Sequence, residues 1–313
     1  MNRSTALQVL GATAVAAALP LRARAADTVR FATIPIDTGA QAYFADAEHM
    51  FTKAGLDAHV QSIPNGAAIT AAVVGGSIEV GFSNILSLAT AHEKGIPITL
   101  IAPAGLYLSK APTSVLMVPK DSPAHDARAL NGKTIAVNGL KNITQLAVQA
   151  WMDKNGGDSK TVSFTEMPFT DMPIALSSHR VDAALLAEPS VTEAKASARI
   201  IGQPYDAISP DFLIASWFTS QKWAAANPAL VKKVAAVLRE SGVWANKNGA
   251  ASADVLAGAT KIEPATLHAM VRSVYAERLD PAQIQPLIDL AAKYGILKAA
   301  FPAQDLIDRN VLA

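Results

Sequence analysis

From Thr28 onward, short apolar runs alternate with stretches whose apolar residues recur every three or four positions. That alternation predicts an α/β fold built on mostly parallel sheets. The first pass predicts a strand over 29–34, a helix over 41–54, a strand over 56–62, a helix over 67–74 and a strand over 80–83. Gly55 stops the first helix and Gly75-Gly76 the second, since a glycine just past a helix takes left-handed backbone at little cost. The pattern then restarts with a strand over 134–137, a helix over 143–154 stopped by Asn155-Gly156-Gly157, a strand over 162–166, a helix over 171–178 and a strand over 182–187. Ile34 and Val137 lie 103 positions apart, as do Glu79 and Asp182. Two βαβαβ lobes of similar plan are expected.

Two β-rich runs, 114–119 and 212–219, read as paired crossover strands between the lobes. The remainder is helical. Pro228 starts a helix with apolar residues at three- and four-residue spacings up to about Lys247. Helices over 252–260, 263–274 and 281–294 follow and are expected to pack on the first lobe. The architecture predicted is a two-lobed α/β fold, each lobe a mostly parallel sheet flanked by helices. Residues 26–115 and 216–313 form one lobe and 116–215 the other.

The first 25 residues change the picture of where the protein works. Arg3 precedes an apolar stretch over 7–21, and Ala23-Arg24-Ala25 supplies a small-x-small cleavage pattern. The stretch is shorter than the roughly 20 apolar residues a membrane helix needs. An export signal cleaved after about Ala25 and a periplasmic location are expected. Loss of three arginines and no acid would move the net charge from +1 to −2.

Composition narrows the chemistry. Half of the 313 residues are hydrophobic and 17% are charged, enough for a substantial core. A balance of 27 basic against 26 acidic residues gives no footprint for nucleic acid or an anionic membrane. The chain has no cysteine, which removes disulfides, thiolate metal sites and cysteine nucleophiles. No dinucleotide, P-loop or serine-hydrolase motif occurs, and no two of the six histidines stand at metal-ligand spacing on a helix. No cofactor, metal or catalytic residue is expected.

In open α/β sheets, ligands sit beyond the carboxyl ends of the strands, where helices begin. The strand-to-helix joints therefore supply the candidate ligand-binding residues. From the first lobe these are Gln41, Tyr43, Asn65, Gly66, Ser83 and Asn84, and from the second Asn138, Asn142, Phe169, Thr170 and Glu188. Tyr107 and Trp217 lie near the crossovers. Asn, Ser, Gly and Thr dominate the joints, and several helix starts converging on one cleft would suit a small anion without a buried arginine. Asparagine, serine and threonine at such joints also serve simply as helix caps.

Several segments resemble a known family. Tyr43-Phe44-Ala45-Asp46-Ala47-Glu48, leading to Phe51-Thr52-Lys53-Ala54-Gly55-Leu56, is similar to the opening of periplasmic substrate-binding proteins of the nitrate/sulfonate/taurine class, which has relatives among the thiamine-pyrimidine synthases. Gly75 to Gly81, Lys94-Gly95-Ile96-Pro97, Leu130 to Ala136, and Val181-Asp182-Ala183 with Glu188-Pro189 match further elements in order. His179 and Met50 stand where the family usually has glycine. The resemblance implies a hinge-closing receptor of the type II periplasmic-binding fold that delivers a small organic anion, a sulfonate or carboxylate, to an ABC permease and its ATPase. Glu188 is expected either to meet a ligand amine, as a taurine-like zwitterion would favour, or to hold its own loop. A monomer is expected. The alternatives are an enzyme of the same fold, related to pyrimidine synthases or to lyases acting on chorismate-type acids, and a sensor module. The cysteine-rich motif of the pyrimidine synthases is absent from this chain.

Overall fold

The computed structural model describes residues 27–260 and 262–311. The expected export signal lies outside the described residues. In chain order the strands are β1 (Asp27–Thr33), β2 (Leu56–Ser62), β3 (Val80–Asn84), β4 (Ile98–Pro103), β5 (Gly105–Leu108), β6 (Ser114–Pro119), β7 (Thr134–Val137), β8 (Ser163–Glu166), β9 (Ala183–Ala187), β10 (Ala198–Gly202), β11 (Asp211–Leu213), β12 (Ala215–Ser220) and β13 (Val274–Tyr275). They form two five-stranded sheets, ordered β2-β1-β3-β12-β4 and β10-β6-β9-β7-β8, and a three-stranded sheet ordered β11-β5-β13.

Burial follows position in the sheet. Central strands β3 and β9 are buried at every residue, as strands covered by helices on both faces must be. Edge strand β2 is buried only at Leu56 and otherwise carries polar or half-covered residues. The predicted likeness of the lobes recurs in the hydrogen bonds. Glu79 donates its N–H to the Arg30 carbonyl and accepts from the Arg30 N–H through its carboxylate; Asp182 does the same with Thr134. Strand pairing sets Phe31 opposite Val80 and Ile135 opposite Ala183, so third strands correspond at a spacing of 103 and first strands at 104. The spacing of 103 between Ile34 and Val137 is therefore one short of the structural equivalence.

The crossovers differ from expectation. Strand β6 pairs with β9 and β10 within the second lobe, and β12 lies between β3 and β4 in the first. The paired crossovers are β5 and β11, with β13 on the other side of β5. The run 212–219 is split by Ile214 because its two halves belong to different sheets. An aromatic knot of Tyr107, Tyr205 and Phe212 holds this hinge, with ring centroids 5.4–5.7 Å apart.

The predicted helix over 41–54 is broken. Gln41–Ala47 and Met50–Lys53 are separate helices, and His49 between them is left-handed at φ 57. The left-handed position lies at His49, one residue before Met50, which stands where the family usually has glycine. His179, which also stands where the family usually has glycine, is left-handed at φ 53 just after a helix. The region 263–274 holds only the short helix Pro264–Ala269 before β13. Helix Pro228–Lys247 begins at its proline and buries Val231, Val234, Val237, Leu238 and Ala245 along one stripe. Its Gly242 runs so close to Gln41 and Tyr275 that an added Cβ would meet atoms of each at 2.9 Å.

Candidate functional site

Three helices start at the cleft between the lobes with an asparagine in the capping position. Asn65 heads Gly66–Val74 and accepts from the Ala68 N–H at 2.9 Å. Asn84 heads Ile85–Glu93, accepts from the Ser87 N–H at 2.9 Å and donates to the Ser87 hydroxyl at 3.0 Å. Asn142 heads Ile143–Lys154 and makes no such bond. Its Oδ1 is buried without a partner, and so is the Thr144 hydroxyl two residues further in. A buried polar atom left without a partner costs roughly 1–3 kcal/mol. The first-turn amides of that helix are also uncapped, which leaves its positive end open.

The loop before this helix is shaped by other groups. Lys141 is left-handed at φ 54 and donates its N–H to Gln145 at 2.7 Å, while the Leu140 N–H donates to the Glu166 carboxylate at 3.0 Å. Gly139 passes Asn142 so closely that a Cβ would lie 2.8 Å from Nδ2. Asn142 is thereby held with its amide in the cleft. Turning the amide over exchanges Oδ1 for Nδ2, so it offers either an acceptor or a donor.

Asn142 and Thr144 line an inner chamber of about 30 Å³ with Asn84, Asn138, Thr38, Ser114, Phe82, Phe169, Tyr205 and the apolar residues Ile34, Ile36, Ile143, Ala187, Ile214 and Ala215. This volume suffices for about two water molecules. Outside it lies a vestibule of about 200 Å³ lined by Ile34, Pro35, Ile36, Ser62, Ile63, Pro64, Pro168, Phe169 and Thr170. The two share Ile34, Ile36 and Phe169. The lobes meet across the cleft, where the Asn138 amide donates to the Pro64 carbonyl at 3.5 Å and the Asp37 N–H to the Glu188 carbonyl at 3.4 Å.

Of the sequence-predicted residues, Asn84, Asn138, Asn142 and Phe169 come together in the chamber, and Phe169 and Thr170 in the vestibule. The others lie elsewhere. Gln41 and Trp217 are core residues bonded to each other: the indole N–H donates to Gln41 at 2.8 Å, and the Gln41 amide donates to the Leu238 and Pro103 carbonyls at 2.8 and 3.2 Å. Trp217 also stacks edge-on with Phe31 and Phe82. Tyr107 belongs to the hinge knot and donates to Asp206 at 2.7 Å. Asn65 caps its helix. Gly66 makes room for Ser83, whose hydroxyl would lie 2.1 Å from a Cβ at that position. The Ser83 hydroxyl is buried without a partner but does not line the chamber. Tyr43 shares a hydrogen bond with Ser62 at 2.6 Å.

Glu188 is also committed to the fold. Its carboxylate accepts from the Thr192 N–H and hydroxyl, each at 3.0 Å, and from the Val271 N–H at 3.4 Å. Burial holds its pKa above the usual carboxylate range, against the lowering effect of these donors and of Lys195. It lines neither the chamber nor the vestibule.

Sequence reasoning missed Thr144, Ser114 and Tyr205, which line the chamber. Thr144 was within reach, since the second residue of a helix points its amide the same way as the cap. Tyr205 comes from the 3-10 turn Pro204–Ala207, which no strand-to-helix rule marks. A roomier groove of about 500 Å³ lies between β4, helix Pro228–Lys247 and residues 277–279, against Lys232, Arg239 and Arg278. None of the unpartnered buried side-chain atoms lies in its lining, so the interlobe chamber is the better-marked site.

The family profile described as NMT1/THI5 like matches residues 38–251, which hold every residue of the chamber except Ile34 and Ile36. The chain belongs to the NMT1/THI5-like family. Solved structures share the fold of this NMT1/THI5-like chain at low identity. The alkanesulfonate-binding protein SsuA from Xanthomonas axonopodis pv. citri, bound to MOPS, superposes with a TM-score of 0.74 at 17% identity, covering 90% of this chain and 98% of its own. The periplasmic nitrate-binding protein NrtA from Synechocystis PCC 6803 gives 0.78 at 14% identity, covering 91% and 86%. The desulfurization enzyme DSZB gives 0.67 at 15% identity, covering 91% and 97%. No curated protein sequence matches the chain. The family and the two-lobed fold expected from the motifs are thereby borne out. No helix among the described residues is long and apolar enough to cross a membrane.

Proposed function

We propose that this NMT1/THI5-like chain is an extracytoplasmic solute receptor that closes its lobes on a small organic anion, a sulfonate or carboxylate, and delivers it to an ABC permease and its ATPase. One observation carries the reading. The open amino end of helix Ile143–Lys154 faces an interlobe chamber with two buried side-chain oxygens, of Asn142 and Thr144, that lack partners. The acidic group would accept from the first-turn amides, the Thr144 hydroxyl and the Asn142 amide turned donor-first. The protein would act as a periplasmic monomer once residues 1–25 are removed.

The fold is shared with an enzyme, so catalysis is the rival reading. The chamber does not favour it. Among the described residues its one ionisable side chain is Tyr205, whose hydroxyl burial pushes above its ordinary range, away from the neutral pKa a general acid or base works best at.

Thermal unfolding with sulfonates, carboxylates, taurine, nitrate and pyrimidines tests the reading. A ligand at 100 times its dissociation constant stabilises the fold by about 2.7 kcal/mol. Stabilisation confined to organic anions is expected. Stabilisation by uncharged heterocycles alone would overturn the anion site, and turnover of a bound acid would overturn the receptor.

A further inference from the structure

The chamber and the vestibule differ in polarity, and the difference selects a class of ligand. The unpartnered groups, Asn142 and Thr144, lie inside. The vestibule's two polar side chains are already engaged: the Ser62 hydroxyl with Tyr43 at 2.6 Å and the Thr170 hydroxyl with Asp171 at 3.3 Å. The rest of its lining is apolar, with Ile63 and Pro64 from one lobe facing Pro168 and Phe169 from the other. The prolines have little side-chain freedom to lose when covered. The chamber of about 30 Å³ accommodates an acidic head and little more, whereas the adjoining vestibule offers about 200 Å³.

We infer that the vestibule is a tail-binding subsite, so that the ligand is a monoanion with an apolar tail and not a small inorganic anion. This rests on the receptor reading above. The head sits at the start of helix Ile143–Lys154, and lobe closure clamps the tail between Ile63-Pro64 and Pro168-Phe169. Among the described residues no cation lines either space, so a second negative charge on the ligand has nothing to meet it. Burying each tail methylene tightens binding roughly fourfold until the vestibule is full.

Titration calorimetry on the purified chain with methane-, butane- and hexanesulfonate, the carboxylates acetate, pentanoate and heptanoate, and nitrate tests this. The expected result is that affinity climbs with tail length, the six-carbon tails binding at least about tenfold tighter than the one-carbon members, with nitrate weakest. Ile63→Ser and Thr170→Gln, which add polarity without charge, should each erase most of that gain while the short anions change far less, with melting curves confirming that both variants fold. Equal affinity across tail lengths overturns the tail subsite and leaves the head site standing. A tail gain that survives in both variants also overturns it, because the tail then lies elsewhere. Binding that persists unchanged in Asn142→Leu, or no binding by any member, overturns the head site and the tail subsite together.

Discussion

The two walls of the cleft are headed by the same residue type and use it in opposite ways. On the first lobe, Asn65 and Asn84 fold back to cap their helices, and both side-chain oxygens are satisfied within the protein. On the second, Asn142 leaves its helix uncapped and keeps a buried oxygen without a partner. Capping contributes about 1 kcal/mol to stability, and an orphaned buried group costs a similar amount or more. At its helix starts the first wall is therefore closed off, whereas the second carries, at the cleft itself, a deficit that something arriving from outside the chain would relieve. Stability is concentrated in one wall and binding potential in the other.

The strongest way to break that comparison is to attack the first wall. Trp217 is fully buried, stacks on Phe31 and Phe82, and donates to Gln41, itself tied to helix Pro228–Lys247. Trp217→Ala should lower unfolding free energy by about 3–5 kcal/mol. Denaturant titration measures it. A loss below about 1 kcal/mol would mean that the first lobe is not the rigid wall described.

The same comparison is sharpened by exchanging the two kinds of asparagine. Asn142→Leu removes a group the folded protein does not use, so the melting temperature should hold or rise while anion affinity falls roughly ten- to a hundredfold, the worth of one or two hydrogen bonds to a charged group. Asn65→Ala should do the reverse, costing about 1 kcal/mol of stability with affinity nearly unchanged. Calorimetric binding and thermal melts on both variants give a two-by-two test. A destabilised Asn142→Leu would show that its orphan oxygen is satisfied after all.

These distinctions were only half visible in the amino-acid order. Strand and helix alternation, glycine stops and the repeat of Glu79 and Asp182 are local signals, and they placed the first three strands of each βαβαβ unit to within two residues. Crossover pairing was not local: β5 and β11 are short, and β6 and β12 carry the stronger β signal while belonging to the two main sheets. Among candidate site residues, a joint asparagine reads the same whether its side chain turns back on its own helix or faces a cleft. What separates Asn65 from Asn142 is the left-handed Lys141 and the close passage of Gly139, neither of which residue type alone reveals. Gln41 at a joint and Trp217 in an expected crossover run find each other across 176 positions in the core. Tyr205 reaches the chamber from a turn that carries no periodic signal.

The smallest effect concerns Glu188, which belongs to neither wall but joins the lobes near the hinge. Its carboxylate bonds to Thr192 in its own lobe and to Val271 from the other, with Lys195 nearby, and burial holds its pKa above the ordinary value. A carboxyl whose pKa is raised on folding favours the folded state when protonated. Its contribution is therefore fully present below the unfolded value of about 4.3 and is lost as pH rises through the raised folded value. Glu188→Gln removes the titration. Between pH 4 and 7 the wild-type chain should lose stability relative to the variant, and denaturant unfolding of both proteins across that interval reads the difference directly. Parallel curves would mean that the three donors on the carboxylate outweigh its desolvation, so that the buried ion is as well solvated in the hinge as in water.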